Sequence, residues 1–126
     1  MSNVKVAVYG TLKDGFHNNY LLENCRRIGV FKSVAPFTMY SRGGFPILSL
    51  DSDTGKSHVT VEIYIVPEEV LKNRLDRLEG YPDWYDRSIQ LFFQDTMAGP
   101  VEAWIYHQNG NHNLPIVEDG IWKNRF

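Results

Sequence analysis

The chain has 126 residues, 43% hydrophobic and 13% aromatic, with a formal charge of −2. That length and apolar content suit a single core-forming domain over residues 1–126 and exclude a disordered tail. The near-neutral charge gives no electrostatic case for nucleic acid or an acidic membrane, and no apolar stretch reaches the roughly 18 residues of a membrane span.

In chain order, Val4–Tyr9 is a continuous apolar-rich run, the pattern of a strand buried on both faces. No basic segment followed by a long apolar core precedes it, so a secretory signal is not expected. Asn18–Asn24 suggests a short helical turn. Cys25 is the only cysteine; it has no intramolecular partner, which fits a reducing, cytoplasmic compartment, and a lone cysteine is more commonly a packing residue than a nucleophile. Short strands are expected at Arg27–Val34, Phe37–Ser41 and Pro46–Leu50, broken at Pro36 and at the Arg42-Gly43-Gly44 turn. A polar tract at Asp51–Lys56 reads as a hairpin tip.

Ser57–Val66 alternates clearly, with Val59, Val61, Ile63 and Ile65 on one face and Thr60, Glu62 and Tyr64 on the other. Glu62 therefore points to solvent or into a polar cavity. Pro67 suits a first helical position and Glu68 and Glu69 the positive end of the dipole. Leu71, Leu75 and Leu78 form the expected buried stripe, which Gly80 and Pro82 end. Strands are expected at Tyr85–Gln94 and Val101–His107, separated by a Met97–Pro100 turn. The Asn- and Gly-rich remainder is expected to wrap the surface irregularly. Short strands with one substantial helix, and no alternating βαβ units, indicate an α+β fold. The expected form is a curled, mostly antiparallel sheet or a small barrel.

Two segments carry chemistry. In YGTLKDG, residues 9–15, a strand stops at a turn of small and polar residues. Gly10 gives access to unusual backbone conformations and lets a ligand approach the main chain. Successive amides there can form an anion-binding concavity, although an ordinary turn uses the same residue types. Gly10 and Gly15 have the spacing of a nucleotide P-loop, but Phe16 and His17 stand where that motif needs Lys and Ser/Thr.

Glu79 is the second. At about 100° per residue it lies roughly 40° round from Leu75, at the edge of the buried stripe. Partial burial, the helix dipole and the like charge of Asp76 all act to raise its pKa toward that of a general acid–base. The plain alternative is a solvated glutamate, or one paired with Arg77, Arg87 or Lys72. Among other candidates, His107 and His112 lack further ligands at zinc spacing. A His17–Ser41–Asp51 triad lacks a nucleophile elbow.

YGTLKDGFHNNYLL at 9–22, VEIYIV at 61–66 and LDRLEGYPDWYDR at 75–87 resemble the γ-glutamylcyclotransferase-like superfamily, and within it the γ-glutamylamine cyclotransferase/AIG2-like branch. The resemblance implies a small mixed, mostly antiparallel β-barrel flanked by one main and one short helix. It further implies an enzyme that closes a γ-glutamyl amine to 5-oxoproline and releases the amine, without metal or cofactor. It also implies a small-molecule γ-glutamyl substrate as partner, rather than nucleic acid or a membrane. By the same resemblance Glu79 is the catalytic acid–base, and Tyr9, Gly10, Thr11, Leu12 and Tyr85 bind substrate. Arg87 and Glu62 are left as a possible structural pair, and Trp84 and Tyr81 as apolar wall or core. Val61 departs from the glycine usual in the branch, and the segment from Gln108 onward carries no recognisable motif of it. A non-catalytic module binding a small ligand is the alternative.

Overall fold

The computed structural model describes residues 2–96 and 98–123. Five strands close into a barrel in the order β1 (Asn3–Val8), β5 (Thr60–Pro67), β2 (Arg26–Ser33), β6 (Asp86–Phe93) and β7 (Val101–His107). All neighbours are antiparallel except β1 and β7, whose parallel pairing (Val6 with Trp104, Ala7 with Ile105) completes the closure. A separate hairpin, β3 (Thr38–Ser41) and β4 (Pro46–Ser49), lies outside the barrel sheet. A short 3₁₀ helix spans Asn19–Leu22. The expected mixed barrel with one main and one short helix is therefore the observed fold. No helix among the described residues is long and apolar enough to cross a membrane.

β1 shows why the chain closes this way. Ala7 joins a core cluster with Val59, Val61 and Ile63, while Val6 and Val8 join a second cluster with Tyr64, Leu71 and Leu75. A strand with apolar side chains on both faces needs cover on both, which the barrel core and the main helix provide. Val61 belongs to the first cluster and does not line the cavity described below.

The main helix, α1, runs over 68–79 in three pieces: an α-turn at Glu68–Val70, a π-turn at Leu71–Leu75 and an α-turn at Asp76–Glu79. Pro67 is not its first residue; it ends β5, with φ −59 and ψ 142, and caps the helix. The wide π-turn advances less per residue than an α-turn, so the ideal angular count fails beyond it. Leu71 and Leu75 are buried as expected, but Leu78 is 38% exposed. Gly80 closes the helix in the left-handed region, at φ 65 and ψ 34. Its N–H bonds the Arg77 carbonyl at 3.3 Å and the Tyr81 N–H bonds that of Asp76 at 2.9 Å, the paired pattern of a Schellman stop.

The segment after Gln108 is a strap rather than an irregular wrap. Ser41 N–H donates to the Pro115 carbonyl at 2.8 Å, Val117 N–H to Met39 at 2.8 Å, and Thr60 N–H to Gly120 at 3.0 Å. The strap ends with Trp122 buried in the barrel core cluster. Of the expected Met97–Pro100 turn, Met97 lies outside the described residues.

Candidate active site

One cavity of about 410 Å³ opens between the end of β1, the end of α1 and the β3–β4 turn. Tyr9, Gly10, Thr11, Leu12, Glu79 and Tyr85, the six site candidates drawn from the sequence, all line it. They come from three segments separated by up to 76 positions, so the barrel closure is what brings them together.

The loop after β1 is braced from outside, which leaves its inner amides uncommitted. Asn18 Nδ2 donates to Thr11 Oγ1 at 2.8 Å, and Asn19 Nδ2 to the Leu12 carbonyl at 2.8 Å. Asp14 N–H donates to Glu62 Oε1 at 2.7 Å, and Glu62 also pairs with Arg27 at 3.4 Å. Lys13 Nζ donates to the Trp122 carbonyl at 2.6 Å. The N–H groups of Gly10, Thr11 and Leu12 make no hydrogen bond among the described residues. Such amides, on a cavity wall, are equipped to receive an oxyanion. Gly10 is not in the left-handed region. Glycine is needed there because a Cβ would stand 2.7 Å from Pro46 Cγ and 2.8 Å from its Cδ.

Glu79 forms the opposite chemical element. The residue is half-buried by area, its carboxyl makes no hydrogen bond or ion pair among the described residues, and desolvation by burial pushes its pKa from 4.5 to about 7. The expected contribution from Asp76 is absent, for a clear reason. Both Asp76 oxygens are taken by Arg87, at 2.9 Å from Nε and 3.1 Å from Nη2, so its charge is paired. Arg87 and Glu62 accordingly do not pair with each other. The Arg87 guanidinium lies between the Tyr81 and Trp104 rings, at 4.4 Å and 4.5 Å. Tyr81 is thus a stacking partner of Arg87 and does not line the cavity.

Three phenols surround Glu79, and each hydroxyl is committed elsewhere. Tyr9 donates to the Tyr106 carbonyl at 2.9 Å, Tyr85 to the Pro46 carbonyl at 3.2 Å, and Tyr106 to Asp76 Oδ1 at 2.6 Å. Burial first, and the Glu79 charge among the further causes, raise the pKa of all three. They remain protonated at neutral pH and none of them relieves Glu79. Tyr106 was not foreseen as a site residue; it sits in a strand with no motif around it, and only its cross-barrel position brings it here. The mouth of the cavity is apolar, with Phe45, Leu78 and Trp84 at 41%, 38% and 70% exposure.

The small barrel thus places, on one cavity, loop amides and a desolvated carboxyl that make no hydrogen bond among the described residues, an arrangement sized for a small polar molecule. Residues 6–124 match the family model described as "Gamma-glutamyl cyclotransferase, AIG2-like", and the chain belongs to that family. A γ-glutamylcyclotransferase-family protein of Methanocaldococcus jannaschii is 36% identical over 120 residues, covering 94% of each chain. Gamma-glutamylaminecyclotransferase C of Danio rerio is 36% identical over 146 residues, covering 93% of this chain and 95% of the relative. The crystal structure of a mouse AIG2-like protein superposes with a TM-score of 0.79 at 24% identity, covering 94% of this chain and 88% of that one. At that identity the superposition speaks for the fold alone.

Proposed function

We propose that this chain closes the γ-glutamyl group of a γ-glutamyl amine to 5-oxoproline and releases the amine. The observation that carries the reading is the unpartnered Glu79 carboxyl, with its pKa raised by burial to about 7, in a cavity shared with the uncommitted Gly10–Leu12 amides. The zebrafish relative bears the name of an amine-type cyclotransferase, which supports the amine class.

The chemistry needs little from the protein beyond position and proton traffic. The substrate's α-ammonium gives a proton to the Glu79 carboxylate, and the freed amine attacks the γ-carbonyl carbon of the same molecule. The tetrahedral adduct collapses as Glu79 returns that proton to the leaving nitrogen, and the bond to that nitrogen breaks. The ring nitrogen loses a second proton as the lactam forms, and the released amine ends as its ammonium, so charge and protons balance. Holding the folded conformer supplies the advantage of an intramolecular reaction. A carboxyl with pKa about 7 is half-ionised at neutral pH and serves in both directions. The amides of Gly10, Thr11 and Leu12 receive the α-carboxylate, and Tyr9 and Tyr85 close the walls around the glutamyl chain.

The test is to incubate the purified protein with γ-glutamyl-ε-lysine, γ-glutamyl alkylamines and γ-glutamyl dipeptides and to measure 5-oxoproline. Turnover by the wild type is expected to fall about 10²–10⁴-fold in Glu79→Gln. Undiminished turnover by that variant removes Glu79 from its role. Tight binding of glutamate with no turnover of any of these substrates replaces the enzyme with a binding module.

A further inference from the structure

We propose that Asp76 is a positioning residue that holds the Tyr106 hydroxyl and the Arg87 guanidinium on itself and so keeps both away from the Glu79 carboxyl. The inference rests on the reading of Glu79 as the proton carrier, but its test does not require turnover.

Asp76 and Glu79 lie three residues apart on the last turn of α1 and live in opposite environments. Asp76 accepts three hydrogen bonds, two from Arg87 at 2.9 and 3.1 Å and one from Tyr106 at 2.6 Å. Glu79 accepts none among the described residues. A phenol has one hydrogen to give, and the Tyr106 hydrogen goes to Asp76 although Tyr106 also lines the cavity with Glu79. The Arg87 fork is bidentate, its side chain only 10% exposed, and it is held in plane by two aromatic faces. A guanidinium so enclosed must have a carboxylate partner, since an unpaired buried charge is strongly unfavourable.

If Asp76 lost its charge, the next carboxyl on the same helix end is Glu79. A donated hydrogen bond or a nearby cation stabilises a carboxylate and pulls its pKa down. Glu79 would then keep its charge but lose the basicity that proton removal requires. The other groups facing Glu79 do not replace Asp76. Tyr9 from the end of β1 and Tyr85 ahead of β6 are committed to carbonyls. His17 lines the cavity from the loop, and Arg42 in the β3–β4 turn acts on Tyr85.

A purely structural Asp76, fastening α1 to β6 and β7, makes a different prediction, and a direct titration separates the two. The side-chain carboxyl carbon of Glu79, assigned by its loss in Glu79→Gln, is followed by NMR across pH in ¹³C-glutamate-labelled protein. In Asp76→Asn the Glu79 midpoint is expected to fall by about 1–3 pH units, and adding Arg87→Met is expected to raise it back. The acid limb of 5-oxoproline production is expected to move with it. An unmoved midpoint in folded Asp76→Asn overturns the proposal. Tyr106→Phe is the milder variant and keeps the proposal open to refutation if Asp76→Asn does not fold. Its Glu79 midpoint is expected to stay in place because the lost hydroxyl served Asp76. A raised midpoint there shows that the hydroxyl served Glu79, and overturns the proposal. A protein that turns over no γ-glutamyl amine still gives this titration, so failure of the reaction and failure of the Asp76 assignment are read separately.

Discussion

The backbone N–H of Asp14 donates to Glu62 Oε1 at 2.7 Å, joining the loop after β1 to the middle of β5. The contact explains why an acid stands on a strand whose neighbours Val61 and Ile63 are fully buried. Glu62 is neither solvated nor in the cavity; it is the anchor of the loop whose amides line it. Arg27 at 3.4 Å and the Tyr64 hydroxyl at 3.4 Å hold the carboxylate in turn.

Removing that anchor is expected to loosen substrate binding more than chemistry. A hydrogen bond to a charged acceptor contributes roughly 1.5–3 kcal/mol. Glu62→Ala is therefore expected to raise KM for a γ-glutamyl amine by about tenfold or more with kcat changed far less. Steady-state kinetics check this; a fall in kcat at constant KM counts against the anchor role.

The acid limb of kcat/KM is expected near pH 7. In the proposed reaction the free enzyme needs Glu79 ionised to accept the first proton, and burial raises its pKa to about 7. Activity thus rises with pH through that value and falls below it. A limb near 4.5 would mean that Glu79 is solvated in the working enzyme.

The same group affects stability, with a sign that follows from its direction. The native state holds the Glu79 proton more tightly than the unfolded chain, whose carboxyl titrates near 4.5, against about 7 in the fold. Its favourable contribution is fully present below about pH 4.5 and lost as pH rises through about 7. Glu79→Gln removes this dependence. Its Tm is expected to match wild type near pH 4 and exceed it at pH 8, by on the order of 2–3 kcal/mol in stability. Thermal melts at the two pH values measure the gap, and an equal gap at both contradicts the desolvation argument.

Gly10 is constrained by packing. A methyl group there would press on Pro46 at 2.7 and 2.8 Å. Overpacking of this kind costs about 1–3 kcal/mol, so Gly10→Ala is expected to lower Tm and weaken binding. Adding Pro46→Ala is expected to recover much of the loss, because it removes the ring atoms that collide. Failure of the second substitution to help would place the strain elsewhere.

Under the proposed reaction, Trp84 at the cavity mouth is expected to give the leaving amine an apolar surface. It is 70% exposed, so Trp84→Ala is expected to change Tm little. KM is expected to rise for γ-glutamyl amines with long alkyl or aromatic amines, and to stay constant for γ-glutamyl methylamide. Equal effects on both substrates would leave Trp84 without a part in recognition.

Much of this was legible along the chain where the relevant forces are local. The alternation of β5, the apolar run of β1 and the turn at residues 9–15 each declare themselves within a few residues. So does Gly80, whose left-handed φ of 65 ends the helix as the Gly-x-Pro sequence suggests. Leu78 misled for a physical reason: an ideal helical count assumes uniform turns, and the π-turn at Leu71–Leu75 breaks that assumption. The Asn-rich tail misled because composition does not reveal main-chain bonds such as Ser41 N–H to Pro115.

By itself the sequence determined most strands and the main helix, because strand period and turn chemistry are short-range properties. The closed barrel and the six cavity residues were legible only through resemblance to a known family. Tertiary structure decided the environment of each charge. Asp76 and Glu79 are near-identical acids three residues apart, yet one accepts Arg87 and Tyr106 from two strands and the other is desolvated with no hydrogen bond or ion pair among the described residues. Charge and hydrogen-bond partners act through space, and only barrel closure brings β6 and β7 against the end of the helix.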